Sequence, residues 1–215
     1  MSLPAEILKI NYASPEPAMA SYIADCLKRG MVVAIPTDTF YGLAVDPINL
    51  RAVGRVYEIK SRSVHKPLSM LVEDMYQAQE LSKNSSEVFF QLAKRFWPGP
   101  LTIIMKASSK LPLKVTANTG NVALRVPDCP FARSVVSLLG LPITATAANL
   151  PGEPEPTTAE TVMEQIGRMI PLIVDGGITP HSVPSTIVDL TDDSEGWRVM
   201  REGAIRGAQI AEALA

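Results

Sequence analysis

Apolar residues near the start of the chain recur every three or four positions and then form a short unbroken run. The recurring residues are Met19, Tyr22, Ile23, Cys26 and Leu27. Their spacing predicts a helix that has Ser14 as its cap and Pro15 in its first position and that ends at Gly30. The run at 31–36, MVVAIP, is short and rich in β-branched residues, which predicts a buried strand. A helix followed by a buried strand is the start of a β/α alternation.

Helical and strand-like patterns continue to alternate as far as residue 201. The further predicted helices span 50–59, 75–81, 87–96, 131–139 and 159–166. The further predicted strands span 68–72, 101–106, 122–126, 143–146, 172–174, 186–190 and 198–201. We therefore expect an α/β fold, a twisted mixed sheet with flanking helices, in a single domain that spans residues 1–215.

Composition and charge narrow the classes of function. The chain has 20 Lys and Arg against 22 Asp and Glu, which argues against nucleic-acid binding over the whole protein surface. A local basic patch that binds nucleic acid is still compatible with these numbers. Cys26 and Cys129 form no metal-binding motif, so we expect two buried free thiols and no metal site. No stretch approaches the roughly 18 apolar residues of a membrane span, and the first residues do not resemble a secretory leader. We expect a cytoplasmic protein that does not contact a membrane.

Several common catalytic motifs are absent from the sequence. There is no GxGxxG after the first strand, no GxxxxGK[ST], no HExxH and no GxSxG. The two histidines, His65 and His181, are more typical of surface loops than of a catalytic centre. The usual dinucleotide, P-loop, metalloprotease and hydrolase interpretations therefore lack their marker residues.

Two neighbouring strings are candidates for an anion-binding site. PTDTFYGL at 36–43 follows a buried strand, and in α/β sheets ligands bind beyond the carboxyl ends of strands. The string at 59–67 places Lys60, Arg62 and Lys66 around a predicted helix end, where Pro67 disfavours further helix. Three cations in a loop suit a polyphosphate. The alternative for 36–43 is an ordinary turn capped by hydroxyl side chains. The alternative for 59–67 is a solvated helix C-terminus, where cations are favoured by the helix dipole.

Later segments add further candidates. Arg125 stands on an otherwise apolar strand, so its charge must either be paired in a salt bridge or face a ligand cleft. Small residues at 144–157 would let a flat ligand approach the backbone, or would form a tight loop capped by Asn149. Ser185 directly precedes the predicted strand at 186–190, and Arg201 ends the one at 198–201. Trp97, between a helix and a strand, is more typical of a rigid corner in the core.

In this order, the segments resemble the YrdC-like threonylcarbamoyl-AMP synthase family. The resemblance rests on PTDTFYGL, Lys60-x-Arg62 with Lys66, WPGPLT, VALRVP, AANLPG, DGG, PSTIVDL and REG, and it covers about residues 14–205. It implies the family's fold, with a large concave cleft, in its single-domain form. It also implies the reaction of L-threonine, bicarbonate and ATP, with Mg²⁺, to give threonylcarbamoyl-AMP and pyrophosphate. The product would pass to downstream tRNA threonylcarbamoyl-transfer proteins.

The resemblance also implies roles for individual residues. Threonine would be held by Thr39, Arg125, Ala145 and Ser185. ATP would be held by Lys60, Arg62, Lys66, Asn121, Ala147, Asn149 and Arg201. Lys60 and Arg62 would also be the catalytic residues. Because every reactant is anionic, the residues would act through charge and alignment more than through a general base.

Four positions depart from the family pattern. Ala145 and Ala147 stand where hydroxyl residues are usual, Glu155 replaces a serine, and Leu71 stands where a histidine is common. These changes leave a YciO-like paralogue with another nucleotide-dependent substrate as an alternative.

A second alternative is a module that binds double-stranded RNA or tRNA. Arg51, Arg55, Lys60, Arg62 and Lys66 lie within sixteen residues, and such a basic surface would bind RNA with a steep salt dependence.

Overall fold

The computed structural model describes residues 3–61, 67–83, 85–192 and 196–215. The helices are α1 Pro17–Lys28, α2 Leu50–Ile59, α3 Met75–Leu81, α4 Glu87–Phe96, α5 Pro130–Leu139, α6 Ala159–Ile166 and α7 Gly207–Ala213. The strands are β1 Glu6–Lys9, β2 Val33–Ile35, β3 Gly42–Ala44, β4 Ser69–Leu71, β5 Leu101–Lys106, β6 Asn121–Arg125, β7 Ile143–Thr144, β8 Thr146–Ala147, β9 Leu172–Asp175, β10 Thr186–Asp189 and β11 Arg198–Arg201. The α/β class predicted from the sequence is confirmed.

The strands form two mixed sheets instead of one. The first has the order β1-β9-β2-β3-β8, and the second has the order β11-β10-β5-β6-β4-β7. In the first sheet β9 runs parallel to β1 and β2, while β3 is antiparallel to its neighbours. In the second sheet the parallel pairs are β5 with β10 and β4 with β6. Both sheets are therefore mixed, as expected.

Residues 143–147 join the two sheets. β7 pairs with β4 in the second sheet, and β8 pairs with β3 in the first. Ala145 lies between them, and its N–H donates to the Ser69 carbonyl at 2.9 Å. The single strand predicted at 143–146 is thus two short strands, because its neighbours on the two sides belong to different sheets.

The first helix begins two residues later than predicted. Pro17, not Pro15, is its first residue, and Glu16 before it is extended. This is the usual arrangement, because proline disfavours helical geometry in the residue that precedes it. The helix ends before Gly30, whose φ of +81° is the left-handed conformation that glycine adopts readily.

Two apolar clusters form the core. One lies around α1 and α5 and contains Ile23, Leu27, Ile35 and Phe131, all fully buried. The larger cluster packs around α2, α4 and the second sheet. Cys26 and Cys129 are buried free thiols, as predicted.

Trp97 forms a corner between α4 and β5, which confirms the structural interpretation of this residue. Its indole N–H donates to the Leu101 carbonyl at 2.7 Å, and its ring meets that of Phe89 edge-on. Among the described residues, no helix is both long and apolar enough to cross a membrane.

Candidate active site

A cavity of about 380 Å³ is lined by strands of both sheets and by the loops that follow β2 and β8. All four residues predicted to hold threonine line it: Thr39, Arg125, Ala145 and Ser185. Four of those predicted to hold ATP also line it: Lys60, Ala147, Asn149 and Arg201. Residues that are up to 162 positions apart in the sequence therefore share one cavity.

A row of residues across the second sheet forms one wall. Ile187 pairs with Thr102, and Leu71 pairs with Arg125. Because Leu124 pairs with Ile103 in an antiparallel ladder, Arg125 comes opposite Thr102. Four neighbouring strands thus each contribute a residue of this row, and backbone pairing within the sheet fixes the spacing of the row.

The turn after β2 is fixed by the Thr37 hydroxyl. This hydroxyl donates to the Phe40 carbonyl (2.7 Å) and accepts from the N–H groups of Thr39 (3.1 Å) and Phe40 (3.3 Å). These three bonds use the one donor and both acceptor positions of the Thr37 hydroxyl. The Thr39 hydroxyl, 3.2 Å away, therefore finds no good hydrogen-bond partner in it. Thr39 Oγ1 accepts from Arg125 Nη1 at 2.9 Å, and its own proton can be donated to a ligand.

A second loop holds this turn from behind, a feature that the sequence patterns did not indicate. The Thr179 hydroxyl donates to the Thr39 carbonyl at 2.8 Å, and the His181 N–H donates to the Asp38 carbonyl at 3.1 Å. Tyr41 is fully buried, and its hydroxyl donates to the Gly177 carbonyl at 2.7 Å. Burial raises the pKa of Tyr41, which keeps this donor protonated.

Arg125 is held by three partners. Its Nε donates to the Gly99 carbonyl at 2.9 Å, its Nη1 contacts Thr39 as described, and its Nη2 lies 2.5 Å from Asp38 Oδ1. The sequence left a salt bridge and ligand contact as alternatives for this residue. Both are compatible with the structure, because Arg125 pairs with Asp38 and also lines the cavity.

Lys60 projects from the end of α2 onto the loop after β8. Its ammonium donates to the Asn149 carbonyl at 2.7 Å and also contacts the Asn149 side-chain oxygen. The Asn149 amide donates in turn to the Glu153 carbonyl at 2.6 Å. Lys60 and Asn149, predicted separately as ATP-binding residues, are therefore neighbours.

Ser185 and Arg201 form another polar group. The Ser185 and Thr102 hydroxyls are 2.8 Å apart, and Arg201 Nη2 donates to the Ser185 carbonyl at 2.9 Å. Partial burial of the guanidinium lowers the pKa of Arg201, the Arg125 charge acts in the same direction, and the Glu155 carboxylate opposes both. Thr102 was not singled out from the sequence, where one threonine in an apolar strand carries no distinguishing signal.

The four positions that depart from the family pattern all belong to this cavity. Leu71, Ala145, Ala147 and Glu155 line it. Glu155 is the one carboxylate among the described lining residues, which also include the cations of Lys60, Arg125 and Arg201. The cavity thus keeps an excess of positive charge.

Of the remaining predicted ATP-binding residues, Asn121 is described by the structure and is not among the residues that line the cavity. Asn121 begins β6, four residues before Arg125 and hence about 13 Å away along the strand. Arg62 and Lys66 lie outside the described residues.

Comparison with known proteins shows which family this chain belongs to. Residues 25–203 match the model of the Sua5/YciO/YrdC family, which carries the description "Telomere recombination". The chain belongs to this family. Threonylcarbamoyl-AMP synthase of Bacillus subtilis is 40% identical over 94% of the chain, and that of Vibrio vulnificus is 37% identical over 84%.

The relatives differ in length. The chain spans about half of the Pyrococcus abyssi and B. subtilis synthases, 50% and 57% respectively, but 96% of the V. vulnificus synthase. The solved structure of P. abyssi Sua5 with L-threonine has a TM-score of 0.92 at 34% identity, covering 98% of this chain and 61% of that one. The structure of Escherichia coli YciO has a TM-score of 0.84 at 25% identity, covering 93% and 96%.

Proposed function

We propose that this protein is an L-threonylcarbamoyladenylate synthase, which forms threonylcarbamoyl-AMP and pyrophosphate from L-threonine, bicarbonate and ATP. The observation that carries the proposal is the single cavity in which Thr39 and Arg125 lie together with Lys60 and Arg201. The synthases named above are more similar to this chain than YciO is, which favours the synthase over the paralogue.

Arg125, Thr39 and Ser185 would bind threonine. The guanidinium would pair with its carboxylate, and the Thr39 hydroxyl proton, which Thr37 leaves available, would be donated to the same group. The threonine amine, held at this end, would capture bicarbonate as a carbamate with loss of water. The Ala145 backbone lies beside this position, where a small side chain leaves room for the ligand.

Lys60, Asn149 and Arg201 would align ATP for the second step. A carbamate oxygen attacks the α-phosphorus, a new P–O bond forms, and the bond to pyrophosphate breaks. The cations stabilise the negative charge that develops on the leaving pyrophosphate. Arg62 and Lys66 are proposed to contribute to this stabilisation. Asn121 and the Ala147 backbone are proposed to help position the nucleotide.

The donor set of the cavity fits Mg²⁺ that arrives bound to ATP. Mg²⁺ in nucleotide sites is held by substrate phosphates with one or two carboxylates, and Glu155 is the lining carboxylate that could reach it. In the described residues no group of three or more His, Cys, Asp or Glu could form a protein cage for the ion. When bound, Mg²⁺ would neutralise phosphate charge.

The decisive experiment measures pyrophosphate release and product mass with ATP, bicarbonate and either threonine, serine or no amino acid. Release should require both threonine and bicarbonate, and the product should have the mass of threonylcarbamoyl-AMP. Release that is independent of threonine, or no release at all, would contradict the proposed function.

We also propose that the protein acts in the cytoplasm and that its product passes to the tRNA threonylcarbamoyl-transfer proteins. A separate RNA-binding function gains less support from the structure. Arg55 is engaged by Glu58 and by the Met169 carbonyl, and Lys60 is turned into the cavity toward Asn149. Lys60 therefore does not extend the exposed basic surface that Arg51 and Arg55 provide on α2.

A further inference from the structure

The carboxylate of Asp38 is buried directly behind the cavity. Asp38 stands between Thr37 and Thr39, its side chain is 2% exposed, and its Oδ1 lies 2.5 Å from Arg125 Nη2. Asp38 itself is not a lining residue of the cavity, whereas Arg125 and Thr39 are. It is thus placed to act on a ligand through Arg125 rather than by contact.

The Arg125 contact is what compensates the buried charge of Asp38. Neither carboxylate oxygen accepts a well-formed hydrogen bond within the described residues, because the short contact to Nη2 lies outside hydrogen-bond angles. An isolated buried carboxylate is strongly unfavourable, so the ion pair is the interaction that stabilises it. The dependence is mutual, since Arg125 is also buried.

The three partners of Arg125 fix its plane. Gly99 accepts from Nε and Thr39 from Nη1, while Asp38 holds Nη2. The backbone of Asp38 is held as well, because its carbonyl accepts from the His181 N–H. Gly99 and Thr39 use two of the five N–H groups of the guanidinium, and Nη2 is held by its charge attraction to Asp38, so N–H groups remain for a ligand. Without Asp38, Nη2 would lose its anchor and the guanidinium could tilt away from Thr39.

We infer that Asp38 is a positioning residue for amino-acid binding, which holds the Arg125 guanidinium against the Thr39 hydroxyl before the substrate arrives. The inference rests on the proposed function for the identity of the ligand. It adds a residue that does not touch substrate and that acts only on the threonine end of the cavity, since Lys60 is held by Asn149 and Arg201 by Ser185.

The Asp38→Asn variant tests this role because it keeps the size and removes the charge. Losing one charge-assisted contact should raise the KM for threonine about tenfold or more, while the KM for ATP changes by less than about twofold. Threonine binding measured by calorimetry, well below the melting temperature, should weaken to the same extent. Asp189→Asn is the matched control, because Asp189 also pairs with an arginine at 3.7 Å, but that arginine, Arg198, does not line the cavity.

An unchanged KM and affinity for threonine in Asp38→Asn would overturn the inference, even if the variant is less stable. So would equal losses for threonine and ATP, which would indicate a purely structural role.

A readout that needs no turnover separates this inference from the proposed function. The NMR signal of the Arg125 Nε–H, assigned with Arg125→Lys, should exchange slowly in the wild type and at least about tenfold faster in Asp38→Asn. If the wild type releases no threonine-dependent pyrophosphate, the proposed function fails while this measurement still tests the positioning of Arg125. Equal exchange rates in the wild type and in Asp38→Asn would overturn the inference that Asp38 positions Arg125.

Discussion

At the scale of single residues, Cys129 has two opposing influences on its thiol. It is the N-cap residue of α5, and the N–H groups of that helix start favour a thiolate. Burial has the larger effect and raises the pKa of Cys129 from 9.0 to about 11. The thiol instead donates to the Pro36 carbonyl at 3.4 Å, directly before the turn that carries Thr39.

This shift predicts a loss of stability in strongly alkaline solution, between pH 9 and pH 11. The pKa of Cys129 is higher in the folded than in the unfolded chain, so the unfolded chain releases the thiol proton first. The neutral thiol therefore contributes to stability below pH 9, and this contribution is lost as the pH rises toward 11. Urea unfolding of wild type and Cys129→Ala should show their difference in unfolding free energy shrinking by about 2 kcal/mol between pH 8 and pH 11. A difference that stays constant with pH would contradict this assignment.

The residues of the site were predictable to different degrees. Arg125 was recognised because a charge on an apolar strand needs a partner, but the sequence could not say that its partner is Asp38. Asp38 belongs to the PTDTFYGL string, yet its burial depends on the distant loop that carries Thr179 and His181. Local patterns carry no information on such long-range contacts.

At the scale of elements, the segment after β11 crosses the start of β10 very closely. The N–H groups of Gly203 and Ile205 both donate to the Thr186 hydroxyl at 3.0 Å. A Cβ added at Gly203 would lie 2.1 Å from the Pro184 carbonyl oxygen, so only glycine fits. This crossing supports the backbone of Ser185, which lines the cavity.

We expect Gly203→Ala to destabilise the protein by about 1–3 kcal/mol, since the backbone of one strand must move. Movement at Ser185 should also weaken binding in the cavity. Gly207→Ala is the control, because a Cβ there meets first the end of the flexible Glu202 side chain, at 3.1 Å. Chemical denaturation of both variants checks the prediction, and equal stabilities would refute the steric argument.

The elements that the sequence predicted well are those with a strong local pattern. Helices α2, α3, α4 and α6 have the predicted bounds, because each has a capping side chain and an apolar face. β1, β3 and α7 were missed. β1 is largely exposed and β3 is only three residues long, so neither alternates clearly over enough positions.

At the scale of the whole molecule, the division into two sheets could not be predicted. Strand pairing such as that of β1 with β9 joins residues more than 160 positions apart, and the sequence of neither strand indicates which strand it pairs with. The consequence is functional, because the cavity draws its lining from both sheets. A ligand that fills it would therefore connect the two sheets in addition to the segment at 143–147.

A ligand that binds only the folded state should raise the melting temperature. ATP at about 100 times its Kd should stabilise the protein by about 2.7 kcal/mol, or roughly 5–10 °C for a chain of this size. Lys60→Met removes one cation from the proposed nucleotide end of the cavity, and a tenfold weaker Kd would halve the shift. Lys94→Met is the matched control, since Lys94 is exposed on α4 and does not line the cavity. Differential scanning calorimetry with and without ATP should therefore give a full shift for Lys94→Met and a reduced one for Lys60→Met. Equal shifts in the two variants would remove Lys60 from the proposed nucleotide site.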